Sequence, residues 1–316
     1  MIIIRKAIQA DEARWNNYVV EHNQHSPYHL FAWKNAVGEA YGHHSHYLIA
    51  EEKTEDKLAI VGVLPLIVFS MPVGKPSLCA LPFCDVGGIL ANHDEIAAQL
   101  LAASQKVAIE HQAKYIEIRS SKGNTDNTDE KTITADKAEK VSMLMSLPES
   151  SELLFASFKS KLRSQIRKAE KNGLHYKLGS DKKLLDDFYD VFSHNMRALG
   201  SPVHAKQWFG SLLNYYQEKM LMSIVYQDDV PIGGGIVLIT GKKAAIPWAS
   251  TKAQYNRLSP NMMLYWSLLK HLSDNGVEHF DFGRSSFGEG TYKFKQQWGA
   301  QPAPLNWQVI NVNSTK

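Results

Sequence analysis

The chain has 316 residues, 44% hydrophobic and 21% charged, with a net charge of +3; that length predicts two domains, and that balance excludes gross disorder and fibrous folds. Two cysteines, Cys79 and Cys84, exclude a disulfide-framed scaffold and a four-cysteine zinc site and read as inert core residues. Met1-Ile2-Ile3-Ile4 turns polar at Arg5-Lys6, too short an apolar core for a signal peptide, and the longest apolar stretch, Leu58 to Gly74, is broken by Pro65 and Pro72 before it reaches membrane-spanning length. A soluble, cytoplasmic protein is the expectation.

In chain order, Ile2–Lys6 reads as a strand and Asp11–Glu21 as a helix with Asp11 at its N-cap. A second helix follows over Trp33–Tyr41. The β-rich runs His46–Ala50 and Leu58–Phe69 flank a polar turn and predict a hairpin. Asp94–Gln112 is patterned as an amphipathic helix, Tyr115–Arg119 alternates as a half-buried strand, and Ser120–Lys140 reads as an exposed loop. Val141–Leu147 returns to strand. Pro148-Glu149-Ser150 is the expected junction, which gives domains 1–149 and 150–316.

The second half predicts a helix over Ser151–Asn172, a strand over Leu174–Leu178, and helices over Asp181–Leu199 and Lys206–Glu218. Three antiparallel strands follow, Leu221–Gln227, Pro231–Thr240 and Lys242–Ala249. Pro260–Asn275 is a helix, and Val277–Phe282 and Leu305–Val312 are strands. This order matches the acetyltransferase-like GNAT architecture, and the first half gives a looser version of it. The expected class is therefore α/β, with two tandem GNAT-like domains, each a mixed, mostly antiparallel sheet flanked by helices.

Charge divides unevenly. Residues 1–150 carry 14 Lys+Arg against 19 Asp+Glu and residues 151–316 carry 21 against 13, a balance of −5 followed by +8, which points the second half at an anionic partner. Three segments could receive one. In Asp281-Phe282-Gly283-Arg284-Ser285 a strand ends in a glycine-punctuated loop; Arg284 offers a planar fork, Asp281 is the nearest carboxylate for taking a proton, and Lys295 on the following short helix is a mobile point charge. Phe294 and Trp298 flank Lys295. In Lys159–Lys171 six cations oppose one carboxylate, with Arg163 and Arg167 one turn apart beside an apolar stripe. The third is the start of the helix at Pro260, where Ser259 would cap, Asn261 would present a backbone amide, and Lys252 and Arg257 lie just upstream. Here Gln254-Tyr255-Asn256-Arg257-Leu258-Ser259 contains no glycine, which argues against tight binding of a coenzyme A pyrophosphate. Trp248, after Pro247, is a candidate wall of a substrate groove. Metal ligation by His43, His44 and His46 has no spaced carboxylate to support it, and no metal is expected.

The Asp281–Ser285 run, the Gly-x-x-x-Phe-Lys-x-x-Trp-Gly pattern from Gly290 to Gly299, and the Leu-Arg-x-x-Ile-Arg-Lys-Ala helix at 162–169 resemble the FemAB-related proteins, in particular the branch associated with exosortase systems. Leu30-Phe31-x-Trp33, Tyr41-Gly42, Gly62–Leu66, Pro82–Gly88 and Leu199–Val203 extend the resemblance along nearly the whole chain. It implies a tandem GNAT-like acyltransferase. Characterised Fem relatives transfer an amino acid from aminoacyl-tRNA to an amine of a peptidoglycan precursor, and a lysine of their Phe-Lys motif lies at the acyl-transfer site, the position of Lys295. The resemblance thus implies no tightly bound cofactor, aminoacyl-tRNA as co-substrate, a peptidoglycan or exopolysaccharide precursor as acceptor, and peripheral contact with the inner membrane face. The residues leave two alternatives open: an acyl-CoA-dependent N-acyltransferase acting on a sugar, and a non-catalytic adaptor that docks on an envelope-biosynthesis complex.

Overall fold

In the computed structural model, which describes residues 1–53, 58–70, 74–120 and 140–312, proline decides where the first apolar stretch divides. Leu58–Leu64 (β4) pairs antiparallel with Leu48–Lys53 (β3), the expected hairpin, whose turn lies outside the described residues. Pro65 then ends the ladder, since it has no N–H to give, and Ile67–Phe69 (β5) joins a different sheet. The first half therefore holds two sheets, where one was expected. A four-stranded sheet has the order β1-β3-β4-β7, with Ile2–Lys6 as β1 and Leu90–Ala91 as β7. A five-stranded sheet has the order β16-β8-β6-β5-β2, with His44–Ser45 as β2, Ser77–Cys79 as β6, Tyr115–Ser120 as β8 and Asn306–Asn311 as β16. Helices α1 (Glu12–Glu21), α2 (Phe31–Tyr41) and α3 (Asp94–Glu110) complete this part. The loop expected over Ser120–Lys140 lies almost wholly outside the described residues.

The second part is one seven-stranded sheet, β10-β11-β12-β13-β14-β9-β15. Its strands are β9 (Lys140–Ser146), β10 (Leu174–Gly179), β11 (Met220–Gln227), β12 (Val230–Thr240), β13 (Lys243–Thr251), β14 (His279–Ser286) and β15 (Gln301–Pro304). The helices are α4 (Ser151–Ser157), α5 (Ser160–Lys171), α6 (Lys182–Ala198), α7 (Lys206–Tyr216), α8 (Pro260–Asp274) and α9 (Gly290–Gln297). The Asp181 carboxylate caps α6 by accepting from the Leu184 amide at 2.9 Å. The single helix expected over 151–172 is broken at Phe158, which is extended and packs its ring against Trp266 and Trp298.

Compact units form from Met1–Val141 with Ala303–Lys316, and from Ser142–Pro302. Both edges differ from the expected 1–149 and 150–316. β9 already belongs to the seven-stranded sheet, ahead of Pro148. The last strand, β16, pairs antiparallel with β8 from Asn306↔Ser120 to Asn311↔Tyr115 and so returns to the first unit. Among the described residues no helix is long and apolar enough to cross a membrane.

Asp11 sits at the N-cap of α1 but does not cap it. Its carboxylate accepts a two-pronged bond from Arg5, with Nη1–Oδ2 and Nη2–Oδ1 both 2.7 Å, while Arg5 Nε reaches Glu51 Oε2 at 2.7 Å and Arg14 Nη1 reaches Glu51 Oε1 at 2.8 Å. Asp11 and Glu51 are buried, so each charge depends on its partner. The Arg5 bond holds the Asp11 carboxyl down at about 2, and Glu51 is lowered by the same arginine. A folded-state pKa below the unfolded value stabilises the protein above pH ~4, and that contribution is lost as pH falls towards 2. Asp11→Asn is expected to lower unfolding stability at pH 7 by about 1–2 kcal/mol and far less at pH 2.5; urea midpoints across that range check it, and equal losses at both ends would refute the ion-pair account.

Candidate functional site

In the second unit two parallel neighbours pair only briefly. β13 and β14 match over Lys243↔His279, Ala244↔Phe280 and Ala245↔Asp281, after which β13 runs on to Thr251 and β14 to Ser286. Each strand has a local reason to part there. On β13, Ile236 faces Trp248 and Leu238 faces Ala245, so Ile246 and Pro247 together oppose Val237 in a bulge, and Pro247 has no N–H for a ladder. On β14, Gly283 has φ +75°, a conformation that costs most residues free energy.

Gly283 also changes what its strand presents. Consecutive strand carbonyls normally point to opposite edges. The left-handed residue breaks that alternation, and the carbonyls of Gly283 and Arg284 both accept from Lys295 Nζ at 2.9 Å. The turn is set from the other side by Asp281, whose Oδ1 accepts from the Gly283 amide at 2.7 Å and from Ser142 Oγ at 2.6 Å. Lys295 is 8% exposed. It is not the mobile charge expected from sequence but a held one, fixed where the strands diverge. Arg284 is exposed at the same strand end.

Around this point the aromatic residues form one body. Phe294 meets Tyr265 at 5.1 Å between ring centroids, Trp298 meets Tyr265 at 6.0 Å and Phe158 at 5.5 Å, and Tyr265 stacks on Phe282 at 5.6 Å. Phe158 leads directly into α5, so the 281–299 stretch and the basic helix meet through the Phe158–Trp298 pair. Trp298 is buried and serves as packing, while Phe294 is half-buried.

α5 buries Leu162, Ile166 and Ala169 and leaves Lys159, Lys161, Arg167, Lys168 and Lys171 exposed, with Arg163 half-buried. The Arg167 guanidinium lies 5.4 Å from the Phe155 ring centroid. At its end, Asn172 Nδ2 donates to the Leu258 carbonyl at 3.0 Å. That bond brings exposed Arg257 to the same end of the helix as Lys168 and Lys171.

Three expectations fail here for physical reasons. Lys252 is 9% exposed and pairs with Asp190 Oδ2 at 2.7 Å, so its charge ties β13 to α6 and is not presented to an anion. Ser259 occupies the N-cap of α8 with φ +65° and makes no side-chain cap; its carbonyl accepts from the Met262 amide at 3.0 Å, so the expected serine cap is absent beside Asn261. Trp248 is buried against Phe209 and Trp208, with ring centroids 5.1 and 6.2 Å away, so it is core and not a groove wall. Conversely, sequence reading missed Ser142, Asn172 and Asp190, which act across 139, 86 and 62 positions and leave no local pattern.

The first unit has a closed counterpart. β6 and β8 are parallel at Leu78↔Ile116 and Cys79↔Glu117. The chain then stays on β8: the Ala80 amide donates to Glu117 O at 2.8 Å, the Gly87 amide to Arg119 O at 2.8 Å, and Arg119 Nη1 to Cys84 O. A Cβ on Gly88 would lie 2.4 Å from Ser120 Oγ. Backbone thus covers this stretch of β8. Burial raises both thiols, Cys79 to about 12, which suits inert packing. Among the described residues no group of three His, Cys, Asp or Glu could hold a metal ion.

Residues 156–296 match the family model described as an acetyltransferase (GNAT) domain. Comparison with curated proteins gives no match. Among solved structures, FemX superposes with a TM-score of 0.75 at 13% identity, covering 98% of both chains. A tandem GNAT protein from the clavulanic acid biosynthesis pathway gives 0.59 at 9% identity, covering 100% of this chain and 99% of that one. L-PGS from Bacillus licheniformis gives 0.53 at 9% identity, covering 98% and 94%. The fold is therefore a FemX-like tandem GNAT fold.

Lys295→Met keeps the apolar stem but removes the donor to two carbonyls. It is expected to lower stability by about 1–3 kcal/mol, and Gly283→Ala by about 1 kcal/mol through backbone strain; denaturant midpoints test both, and unchanged midpoints would refute the clamp.

Proposed function

We propose that the protein is an acyltransferase that moves an aminoacyl or acyl group from an anionic donor to an amine or hydroxyl of a cell-envelope precursor, peptidoglycan or exopolysaccharide. The observation that carries this reading is the parting of β13 and β14 after three residue pairs, with Lys295 held at the opening. Ladder groups released where parallel strands separate can bind an extended acyl or peptide segment by its amides.

In this reading the acceptor nitrogen attacks the donor ester carbonyl. A C–N bond forms, the C–O bond to the ribose breaks, and the proton lost by the amine balances the one taken by the leaving oxygen. Lys295 supplies fixed positive charge for the oxygen on which negative charge develops. Asp281 and Ser142 shape the turn that aims it, so Asp281 enters as a positioning residue. Arg284, Arg163, Arg167 and Arg257 hold donor phosphates, with Phe294 and Gly283 beside the acyl group. α5 is about 18 Å long and bears exposed cations along that length, with Arg257 at its end, a spread suited to several phosphates of a polynucleotide more than to one diphosphate. That length, with the glycine-free turn before Pro260 and the FemAB resemblance, favours aminoacyl-tRNA over acyl-CoA. The same cations support peripheral contact with an anionic membrane face, where lipid-linked precursors lie.

The test is label transfer from charged tRNA and from acyl-CoA, offered separately, onto lipid-linked and polysaccharide acceptors. Transfer from tRNA is expected, lowered about 10²–10³-fold in folded Lys295→Ala. Arg163→Glu with Arg167→Glu should raise the donor KM and weaken its salt dependence while leaving kcat near wild type. Transfer from acyl-CoA alone would overturn the donor assignment, and transfer from neither would overturn the enzyme reading.

A further inference from the structure

A cleft of about 650 Å³ opens in the first unit, between the end of α1, β4, β7 and the start of α3. Its chemistry is unlike that of the basic helix α5. Among the described residues the lining contains the carboxylates Glu21 and Asp94 and no lysine or arginine. α3 begins Asp94-Glu95, so carboxylates already stand against the positive end of the helix, and an incoming anion would meet like charge.

One wall is aromatic and held in place. The Tyr18 hydroxyl lies 3.0 Å from both the Val61 carbonyl and Asn92 Oδ1, and burial keeps it a protonated phenol. His22 Nδ1 accepts from the Gln24 amide at 3.2 Å, which leaves Nε2 to donate to the Ala91 carbonyl at 3.1 Å. The two rings are 5.8 Å apart and inclined at 45°. Fixed ring faces beside outward carboxylates and side-chain amides suit a ligand with C–H faces and many hydroxyls.

We propose that this cleft binds an uncharged sugar unit, its C–H face against Tyr18 and His22 and its hydroxyls donating to Glu21 and Asp94. The proposal stands independently of the transfer reading, because it concerns different residues in a different unit and its test involves no turnover.

The test is titration of the full chain with N,N′-diacetylchitobiose, glucosamine and glucose 6-phosphate by ligand-observed NMR and calorimetry. Saturable disaccharide binding with Kd of about 0.1–5 mM is expected, and the phosphorylated sugar should bind at least ~10-fold more weakly. Glu21→Gln with Asp94→Asn, both at exposed positions, should weaken the disaccharide at least ~5-fold in a variant that circular dichroism shows still folded, with a midpoint lowered only by the loss of Asp94 from the start of α3. Equal or tighter binding of glucose 6-phosphate would overturn the proposal, as would binding of glucosamine alone, which marks an amine site. No saturable binding, or an affinity untouched by the double variant, would overturn it equally.

Discussion

One lysine ammonium bonded to two consecutive carbonyls of the same strand organises the second unit. Lys295 reaches both because Gly283 turns the strand out of its alternating pattern, and that turn is held by the hydrogen bond that the Gly283 N–H donates to the Asp281 carboxylate. Lys295 in turn anchors α9 to β14, and α9 carries Phe294 and Trp298 into the aromatic body that docks the head of α5. The place where the sheet opens and the place where positive charge gathers are thus linked by one run of contacts. A buried lysine of this kind is restrained by geometry and not only by attraction.

The two units solve the same topological problem in opposite ways. Parallel strands that separate leave backbone groups needing partners. In the first unit the 80–88 segment supplies them, at the cost of left-handed φ at Leu81 and Phe83 and two glycines with no room for a side chain. Trp33 Nε1 donates to Pro82 O, and His29 Nε2 lies 3.1 Å from Gly88 O, within an aromatic core that pushes His29 down to about 4 and keeps its ring uncharged. In the second unit a proline bulge and a lysine take the place of that covering segment. The same architecture thus has its strand gap closed by backbone in one unit and spanned by a lysine in the other.

Charge follows the same division. The acidic balance of the first half includes carboxylates buried against Arg5 and others lining the Tyr18–Asp94 cleft. The basic balance of the second half lies largely on α5 and the turn joined to it by Asn172. Lys252 is the instructive exception: a cation counted towards that balance is neutralised within the fold by Asp190. Net charge by segment points to a partner's sign, but only pairing decides which side chains are presented.

Element types, the GNAT-like order and the candidate stretch 281–299 were legible in the sequence, because apolar periodicity, turn residues and closely spaced glycines act over a few positions. Pro65 and Pro247 were visible too, although what they interrupt was not. The return of Asn306–Asn311 to β8, the break at Phe158, the burial of Trp248 and the bonds from Ser142 to Asp281 and from Asn172 to Leu258 were decided by tertiary structure alone. Each joins residues far apart in the chain, and whether a lysine is mobile or clamped depends on which carbonyls packing brings within 3 Å, a distance that no spacing in the sequence encodes.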